Sequence, residues 1–170
     1  YFANKQANAL GKETLYYVEE RHDDQLAFNL SSVFNHQWNE RNSYVAGIAV
    51  NTTKGMHYKK MKDLLGGQLY TDGASSSMVQ NDLDNPNRRI GEGDKFGYDY
   101  NIYVNKQSAW VRYQGNNGGS LNYFASGKIG STQMFRDGLM RNGRAPLKSL
   151  GSSGTAKFLE GGIKAGLNWA

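Results

Sequence analysis

The chain of 170 residues contains no cysteine, only two prolines and no long apolar run. Without cysteine it can form no disulfide framework, zinc–thiolate cluster or thiol nucleophile. No segment approaches the roughly 20 consecutive apolar residues that a membrane-spanning helix needs. The first residues are Tyr-Phe-Ala instead of Met, and no charged-then-apolar export signal follows them. We therefore expect a processed chain or a piece of a larger protein.

Glycine, tyrosine and positive charge are abundant instead, with 21 glycines, 11 tyrosines and a net charge of +5. Abundant aromatic residues and regular alternation exclude a disordered chain and favour long strands joined by polar turns. The positive charge attracts anions in general. However, the basic residues lie mostly in predicted loops, and no motif of a nucleic-acid-binding module is present. We expect no nucleic-acid partner.

The clearest pattern is an alternation of apolar and polar residues from Leu26 to Trp38. It resumes from Tyr44 to Thr52 after a predicted five-residue polar turn, Asn39–Ser43. A period of two residues predicts a strand with one apolar and one wet face. Each run extends over about 12–16 residues, whereas strands of soluble domains usually have about 5–6. Long paired strands with aromatic residues beside a short turn are typical of a wall that crosses a lipid bilayer.

The alternation recurs along the chain and predicts an all-β fold, an antiparallel transmembrane β-barrel segment of about five long strands. We predict one barrel domain over residues 1–170. Its parts are a loop and strand lead-in (1–23), a hairpin (24–59), a long extracellular loop (60–97), a hairpin (98–136), an extracellular loop (137–156) and a strand (157–170). Short turns at one end and long loops at the other are the rule in outer-membrane barrels. Because the smallest such barrels have eight strands, five would form part of a larger wall.

The two faces of these strands predict two environments. The residues expected to meet lipid are apolar: Leu26, Phe28, Leu30, Ile48, Val50, Ile129, Ile163 and Leu167. Those expected to face a wet interior are polar: Asn29, Asn35, Asn51, Asn101, Asn122, Lys128 and Lys164. Phe124 breaks the alternation of the fourth strand. A charge at Ile48 should therefore oppose membrane insertion, and a charge at Asn51 should be tolerated.

Few residues indicate chemistry. His22, between Arg21 and Asp23, could be a carboxylate-supported base, but a solvated strand end explains it better; His36 and His57 have no spaced metal partner. Five oxygen-bearing residues resemble a calcium loop, with turn chemistry as the alternative explanation: Asn81, Asp82, Asp84, Asn85 and Asn87. We predict no enzyme, no catalytic residue, no cofactor and no metal site. Ligand-binding residues stay unassigned, and whether Asp82 and Asp84 bind calcium stays open.

Three strings are more distinctive than the alternation: HYKKMKDLLGG at 57–67, QNDLDNPNRRIGEGDKFGYDY at 80–100 and FRDGLMRNGRAP at 135–146. With the strands between them, they resemble the barrel of a TonB-dependent receptor of the Bacteroidetes-type outer membrane. Such receptors are SusC-like, and their N-terminal part often carries a carboxypeptidase-regulatory-like domain. The resemblance extends from about residue 14 to the end of the chain.

The resemblance implies a 22-stranded barrel in a Gram-negative outer membrane that imports a nutrient, such as a glycan, a peptide or a metal chelate. It implies as partners the rest of the barrel, a plug inside it, outer-membrane lipid and TonB, which acts through the plug. Some members of the family also pair with a surface lipoprotein. No part of this chain resembles the plug or the TonB box.

Two other functions fit parts of the sequence. A soluble or surface-exposed β-sandwich could bind glycans through its tyrosine- and tryptophan-rich face. A porin-like or adhesin barrel would share the wall but lack energy coupling. Detergent dependence separates the first of these from a receptor, because a sandwich stays folded and monomeric in plain buffer.

Overall fold

The computed structural model describes residues 1–73 and 79–169 as an all-β fold with one short helix. Six strands form one antiparallel sheet in the order β1-β2-β3-β4-β5, and β6 also pairs with β4. The elements are α1 (Phe2–Ala9), β1 (Val18–Asn39), β2 (Asn42–Asp63), β3 (Lys95–Asn116), β4 (Leu121–Gly138), β5 (Gly151–Ser152) and β6 (Ala156–Trp169). The predicted all-β class and antiparallel pairing are confirmed.

The strands are longer than the sequence pattern predicts. β1, β2 and β3 each have 22 residues. The first turn is shorter than the predicted Asn39–Ser43, because only two residues separate β1 from β2. The Asn39 side-chain oxygen closes this turn by accepting hydrogen bonds from the Arg41 amide and the Asn42 side chain, both at 2.9 Å. Asparagine favours such local bonds to nearby groups, which explains the tight turn.

The strand count differs from the predicted five because the predicted loop 137–156 contains a further short strand, β5. β5 pairs with Asp137 and Gly138 of β4, and β6 pairs with the stretch of β4 from Leu121 to Met134. The predicted strand at 157–170 corresponds to β6; Ala170 lies outside the described residues.

The prediction of loop over the first residues was wrong, because α1 occupies Phe2–Ala9. Three alanines favour the helix, and Gly11 follows it with a φ of +64°, a conformation that suits the end of a helix. A helix repeats every 3.6 residues, so the two-residue alternation that indicates strands does not indicate this helix. No helix among residues 1–73 and 79–169 is long and apolar enough to cross a membrane.

A fully buried asparagine, Asn4, connects helix α1 by hydrogen bonds to residues 15–16 and 64–65. The Asn4 side-chain nitrogen donates hydrogen bonds to the carbonyl oxygens of Tyr16 (2.7 Å), Leu64 (2.9 Å) and Leu65 (3.2 Å). Its side-chain oxygen accepts from the amides of Leu15 and Tyr16 at 3.0 and 3.1 Å. The buried amide is therefore fully used, as buried polar groups require.

The chain contains two compact units, which we name for their content. The loop unit comprises Tyr1–Leu26, Lys54–Tyr103 and Phe135–Gly154, and the hairpin unit comprises Ala27–Thr53, Val104–Met134 and Thr155–Ala170.

The loop unit has a hydrophobic core. Met61, Ile90 and Phe96 are buried, and Tyr17, Leu64 and Tyr70 pack against them. This core includes part of the predicted loop 60–97, whose residues 74–78 lie outside the described residues. Isolated bridges, Thr71 with Arg89 and Gly73 with Gln80, are formed there in place of strands.

The hairpin unit has almost no interior. Its buried residues, within the described part, are Ser43, Gly47 and Gly130. Its large apolar side chains are instead on the surface, and their arrangement defines the candidate site.

Candidate lipid-facing surface and loop cavity

The pairing of β4 with β6 places the predicted apolar residues opposite one another. Tyr123 pairs with Leu167, Gly127 with Ile163, and Ile129 with Gly161. Directly paired residues of antiparallel strands project to the same side of a sheet. The two apolar sets therefore form one surface, which we call the apolar face.

Contacts across the neighbouring strands extend the apolar face. The Phe34 ring of β1 lies 5.9 Å from the Tyr44 ring of β2. On β2, the Asn42 side-chain oxygen accepts hydrogen bonds from the hydroxyls of Tyr113 (2.6 Å) and Tyr123 (3.1 Å). These bonds connect β2 to β3 and β4 on the same side as the β4–β6 apolar pairs.

All eight residues predicted to meet lipid are exposed, from 36% for Val50 to 89% for Ile163. Seven of them belong to the hairpin unit, and Leu26 belongs to the loop unit. Globular proteins rarely expose a contiguous apolar surface of this kind unless it meets a membrane or another protein. The apolar face is therefore unusual for a protein surface, and nothing among the described residues covers it.

The opposite side of the hairpin unit, the polar face, carries hydrogen-bonding and charged groups. The Asn51 side chain donates to the Asn29 side-chain oxygen across the first hairpin. The Lys128 ammonium lies 3.2 Å from the Glu160 carboxylate. Asn122 pairs with Asn168 of β6 on the same side. Four of the predicted polar residues therefore lie on the polar face: Asn29, Asn51, Asn122 and Lys128.

Three predicted polar residues have different surroundings. Lys164 lies opposite Ser126, Asn35 is exposed on β1, and Asn101 is buried in the loop unit, 6% exposed. Asn101 therefore does not belong to the polar face of the hairpin unit. Alternation alone cannot reveal this, because burial depends on tertiary contacts that a local pattern does not contain.

The polar face also explains why Phe124 breaks the alternation. Its ring lies 4.8 Å from the Arg112 guanidinium. A Cβ added to Gly166 would meet the same ring. The indole of Trp110 likewise covers Gly47, where a Cβ would lie 2.6 Å from it. Both rings are therefore packed against glycine on the polar face.

The aromatic residues beside the short turns have polar groups within reach. Tyr113 and Tyr123 donate to Asn42, as described, and the side chains of Trp38 and Trp169 are both more than 70% exposed. Gly115 makes room for this cluster, since a Cβ there would meet the Asn42 side-chain oxygen and lie 2.8 Å from the Tyr123 ring.

The segment that resembles a calcium loop, residues 81–87, contains the local hydrogen bonds of a turn. Asp82 accepts from the amides of Asp84 (3.0 Å) and Asn85 (3.3 Å). The Asp84 carboxylate lies 3.5 Å from the Arg141 guanidinium. Asn81 and Asn87 bond elsewhere, to Asp72 and Gln80. No three metal-ligating side chains cluster among residues 1–73 and 79–169.

The histidines are held by tyrosine rings and carboxylates. His22 stacks on Tyr58 with ring centroids 4.6 Å apart. The His57 ring stacks on Tyr100 at 5.0 Å, and its Nδ1 atom lies 2.7 Å from the Asp23 carboxylate. His36 lies on the apolar face, 5.2 Å from Tyr44. These pairs are cross-strand packing, and no nucleophile adjoins them.

The loop unit holds a polar cavity of about 320 Å³ that the sequence pattern did not predict. Its lining includes Tyr17, Lys59, Tyr70, Tyr98, Asn142 and Arg144. Burial and a hydrogen bond to Tyr17 raise the pKa of the Tyr70 phenol, and burial raises that of Tyr98. Both phenols therefore stay neutral; the Tyr70 hydroxyl donates to Tyr17, and the Tyr98 hydroxyl can donate to a ligand.

The cations beside this cavity are already balanced in part. Lys59 lies 2.7 Å from the Glu19 carboxylate. Burial raises the pKa of Glu19, but hydrogen bonds and attraction from Lys59 and Arg21 outweigh it, so the pKa lies below its ordinary value. The cavity thus suits an uncharged, hydrogen-bonding ligand better than a multiply charged anion.

Comparison with known proteins adds no relative: no family model, no curated protein and no solved structure matches the chain.

Proposed function

We propose that the chain is part of the barrel wall of a TonB-dependent outer-membrane receptor that imports a nutrient. The observation that carries this proposal is the apolar face, which exposes Phe28, Leu30, Ile48, Ile129 and Ile163 together, with a polar face behind it. In water such a surface is unfavourable, at about 25 cal/mol per Å² of apolar area. In lipid it is the stable arrangement for a barrel wall.

Strand length supports the same proposal. The hairpin-unit stretches of the long strands have about 12–14 residues, against the roughly 9–11 that a tilted strand needs to span the hydrocarbon. Their ends in the loop unit carry charged groups, such as Glu19, Lys59 and Lys62. Charged side chains are costly in hydrocarbon, so we propose that lipid meets the hairpin-unit stretches only.

The aromatic residues at the short turns fit a membrane boundary. Trp38 and Trp169 have large rings with a single polar atom, and Tyr113 and Tyr123 have a hydroxyl. Such side chains favour the level of the lipid headgroups. We propose that the short turns lie on the periplasmic side and the loops of residues 64–94 and 139–150 on the extracellular side.

The import function rests on the resemblance of the three strings at 57–67, 80–100 and 135–146. In such a receptor the cavity of the loop unit would belong to the extracellular vestibule, where a glycan, peptide or metal chelate enters. The partners would be the remaining barrel, its plug, TonB and, in some receptors, a surface lipoprotein. The chain itself would be no enzyme.

Membrane insertion is tested by refolding the intact protein, with the remaining barrel that this chain would need for closure, from urea into buffer and into phosphocholine vesicles. We expect strand content, measured by circular dichroism, and flotation with vesicles only in the presence of lipid. A folded monomer in plain buffer that does not float would contradict the proposal and favour the glycan-binding sandwich.

Energy coupling needs a second experiment in cells that carry the intact gene. We expect accumulation of one labelled class of solute, tested as oligosaccharides, oligopeptides and metal chelates. A protonophore should abolish accumulation if TonB drives it. Uptake that ignores the protonophore would indicate a porin-like barrel without energy coupling.

A further inference from the structure

The positive charge of the protein is concentrated in the hairpin unit. That unit has six basic and two acidic residues, a net charge of +4, whereas the loop unit has 14 basic and 13 acidic residues. The difference is unexpected for a membrane wall, because the apolar face should carry no charge. A lipid-facing wall therefore predicts that most of the basic residues lie on the other side of the strands or at the turns.

Most of these cations are on the polar face. Lys128 and Lys164 lie opposite Gly162 and Ser126 in the β4–β6 ladder. The Arg112 guanidinium lies on the Phe124 ring of the same face, and Lys106 is six residues earlier on β3. Strand residues an even number apart share a face. The polar face thus combines four cations.

Among the described residues, only Glu160 forms an ion pair with one of these four cations. Glu160 lies 3.2 Å from Lys128. Within the described residues, Lys106, Arg112 and Lys164 have no carboxylate within 4 Å. Three unbalanced cations on one sheet face create a positive potential that attracts an anionic partner.

The same face contains a concave site. A cavity of about 400 Å³ is lined by two arginines, one glutamate and several side-chain amides, among them Arg41, Arg112, Glu40, Gln114, Asn122 and Asn168. Guanidinium groups match carboxylates with two parallel hydrogen bonds. Side-chain amides can donate to and accept from a peptide backbone. This combination matches an acidic peptide segment.

Two observations argue against other anionic partners: the distance between the cations, and the packing of the aromatic rings against protein groups. Lys106 and Arg112 are about 20 Å apart along β3 at 3.3 Å per residue, too far for one small anion. Nucleic acids need open rings for base stacking. On this face Trp110 is packed against Gly47, and Phe124 is covered by Arg112.

We propose that the polar face of the hairpin unit docks an extended, acidic polypeptide segment, with a carboxylate seated between Arg41 and Arg112. This inference rests on the proposed function only in placing that segment inside the barrel. Lys106 and Lys164 attract further carboxylates of the same segment.

The inference is tested with the full chain in zwitterionic micelles and a fluorescein-labelled Glu-Ser octapeptide that alternates the two residues. Anisotropy should show binding that weakens as salt rises, because the attraction is screened. A Gln-Ser octapeptide should not bind. Arg112→Gln and Lys164→Gln should each weaken binding about 5–10-fold, as expected for the loss of one solvent-exposed hydrogen bond.

The matched control is Lys157→Gln. Lys157 pairs with Gln133, on the parity of the apolar face, so its loss removes the same charge from the other side. We expect unchanged binding. Equal weakening by Lys157→Gln, equal binding of the Gln-Ser peptide, or stronger competition by polyuridylate than by the Glu-Ser peptide would each overturn the inference.

Two checks keep this test separate from that of the proposed function. Near-ultraviolet circular dichroism verifies folding of each variant, and Lys164→Gln carries the test if Arg112→Gln does not fold. Vesicle insertion is measured on the same preparations. Insertion without peptide binding overturns the docking inference alone; failure to insert overturns the barrel wall, whatever the peptide does.

Discussion

The two units of this protein place their apolar side chains in different surroundings. The loop unit buries Met61, Ile90 and Phe96 beneath tyrosines. The hairpin unit buries nothing larger than Ser43 within the described residues and exposes its apolar side chains on one face. The first arrangement is that of a protein in water, and the second is stable only against lipid or a partner. The comparison shows that one chain can bury apolar side chains in one region and expose them along the strands of another.

The largest expected effect separates a buried ring from an exposed one. Phe96→Ala should lower the free energy of unfolding in micelles by about 3–5 kcal/mol, because the ring of this fully buried side chain leaves a cavity. Phe28→Ala should change it by about 1 kcal/mol or less, because the Phe28 ring contacts solvent or lipid and not protein. Urea unfolding measures both, and equal losses would remove the contrast between the units.

A second prediction compares an arginine on the apolar face of the hairpin unit with an arginine on its polar face. Ile48→Arg should destabilise the vesicle-inserted state by roughly 2–4 kcal/mol near the bilayer midplane. Asn35→Arg adds the same charge on the polar parity of β1 and should be tolerated. Denaturant titrations in phosphocholine vesicles compare the two variants. If both were tolerated, the assignment of the faces would be wrong.

The sequence predicts the hairpin unit better than the loop unit, for a physical reason. Alternation is local, so it indicates strands, faces and even the exposed residues of the apolar face. The core of the loop unit depends on distant pairs, such as Tyr17 with Tyr70. Asn4 bonds to carbonyls 60 residues away. No local pattern contains such contacts, so the sequence does not predict the cavity.

Two glycines of the hairpin unit distinguish packed from open positions on the apolar side. Gly115→Ala should lower the free energy of unfolding by about 1–3 kcal/mol, because the new methyl group would overlap the side chains of Asn42 and Tyr123. Gly127→Ala should be neutral, since nothing lies within 4 Å of its Cβ position. Melting temperatures in micelles give the comparison. A neutral Gly115→Ala would mean that the tyrosine cluster does not hold the turns together.

The smallest effect concerns charge in the loop unit. The pKa of Glu19 is lowered in the fold, so its ionised form contributes stability above about pH 4.5 that is lost as the pH falls further through the folded pKa. Partial exposure limits the contribution to about 1 kcal/mol. Glu19→Gln should reduce the acid slope of stability below about pH 5, measured by urea unfolding at a series of pH values. A slope equal to that of the unsubstituted protein would contradict the role of the Lys59 pair.

Lipid contact at the apolar face is the central claim, and the three tryptophans measure it directly. Trp38 and Trp169 are exposed beside the short turns, whereas Trp110 covers Gly47 on the polar face. Single-tryptophan variants, with the other two replaced by phenylalanine, are inserted into vesicles whose lipids carry bromine near the headgroup end of the acyl chain. The account predicts strong quenching of Trp38 and Trp169 and little quenching of Trp110. Quenching of Trp110 as strong as that of the other two, or no quenching of any, would contradict it.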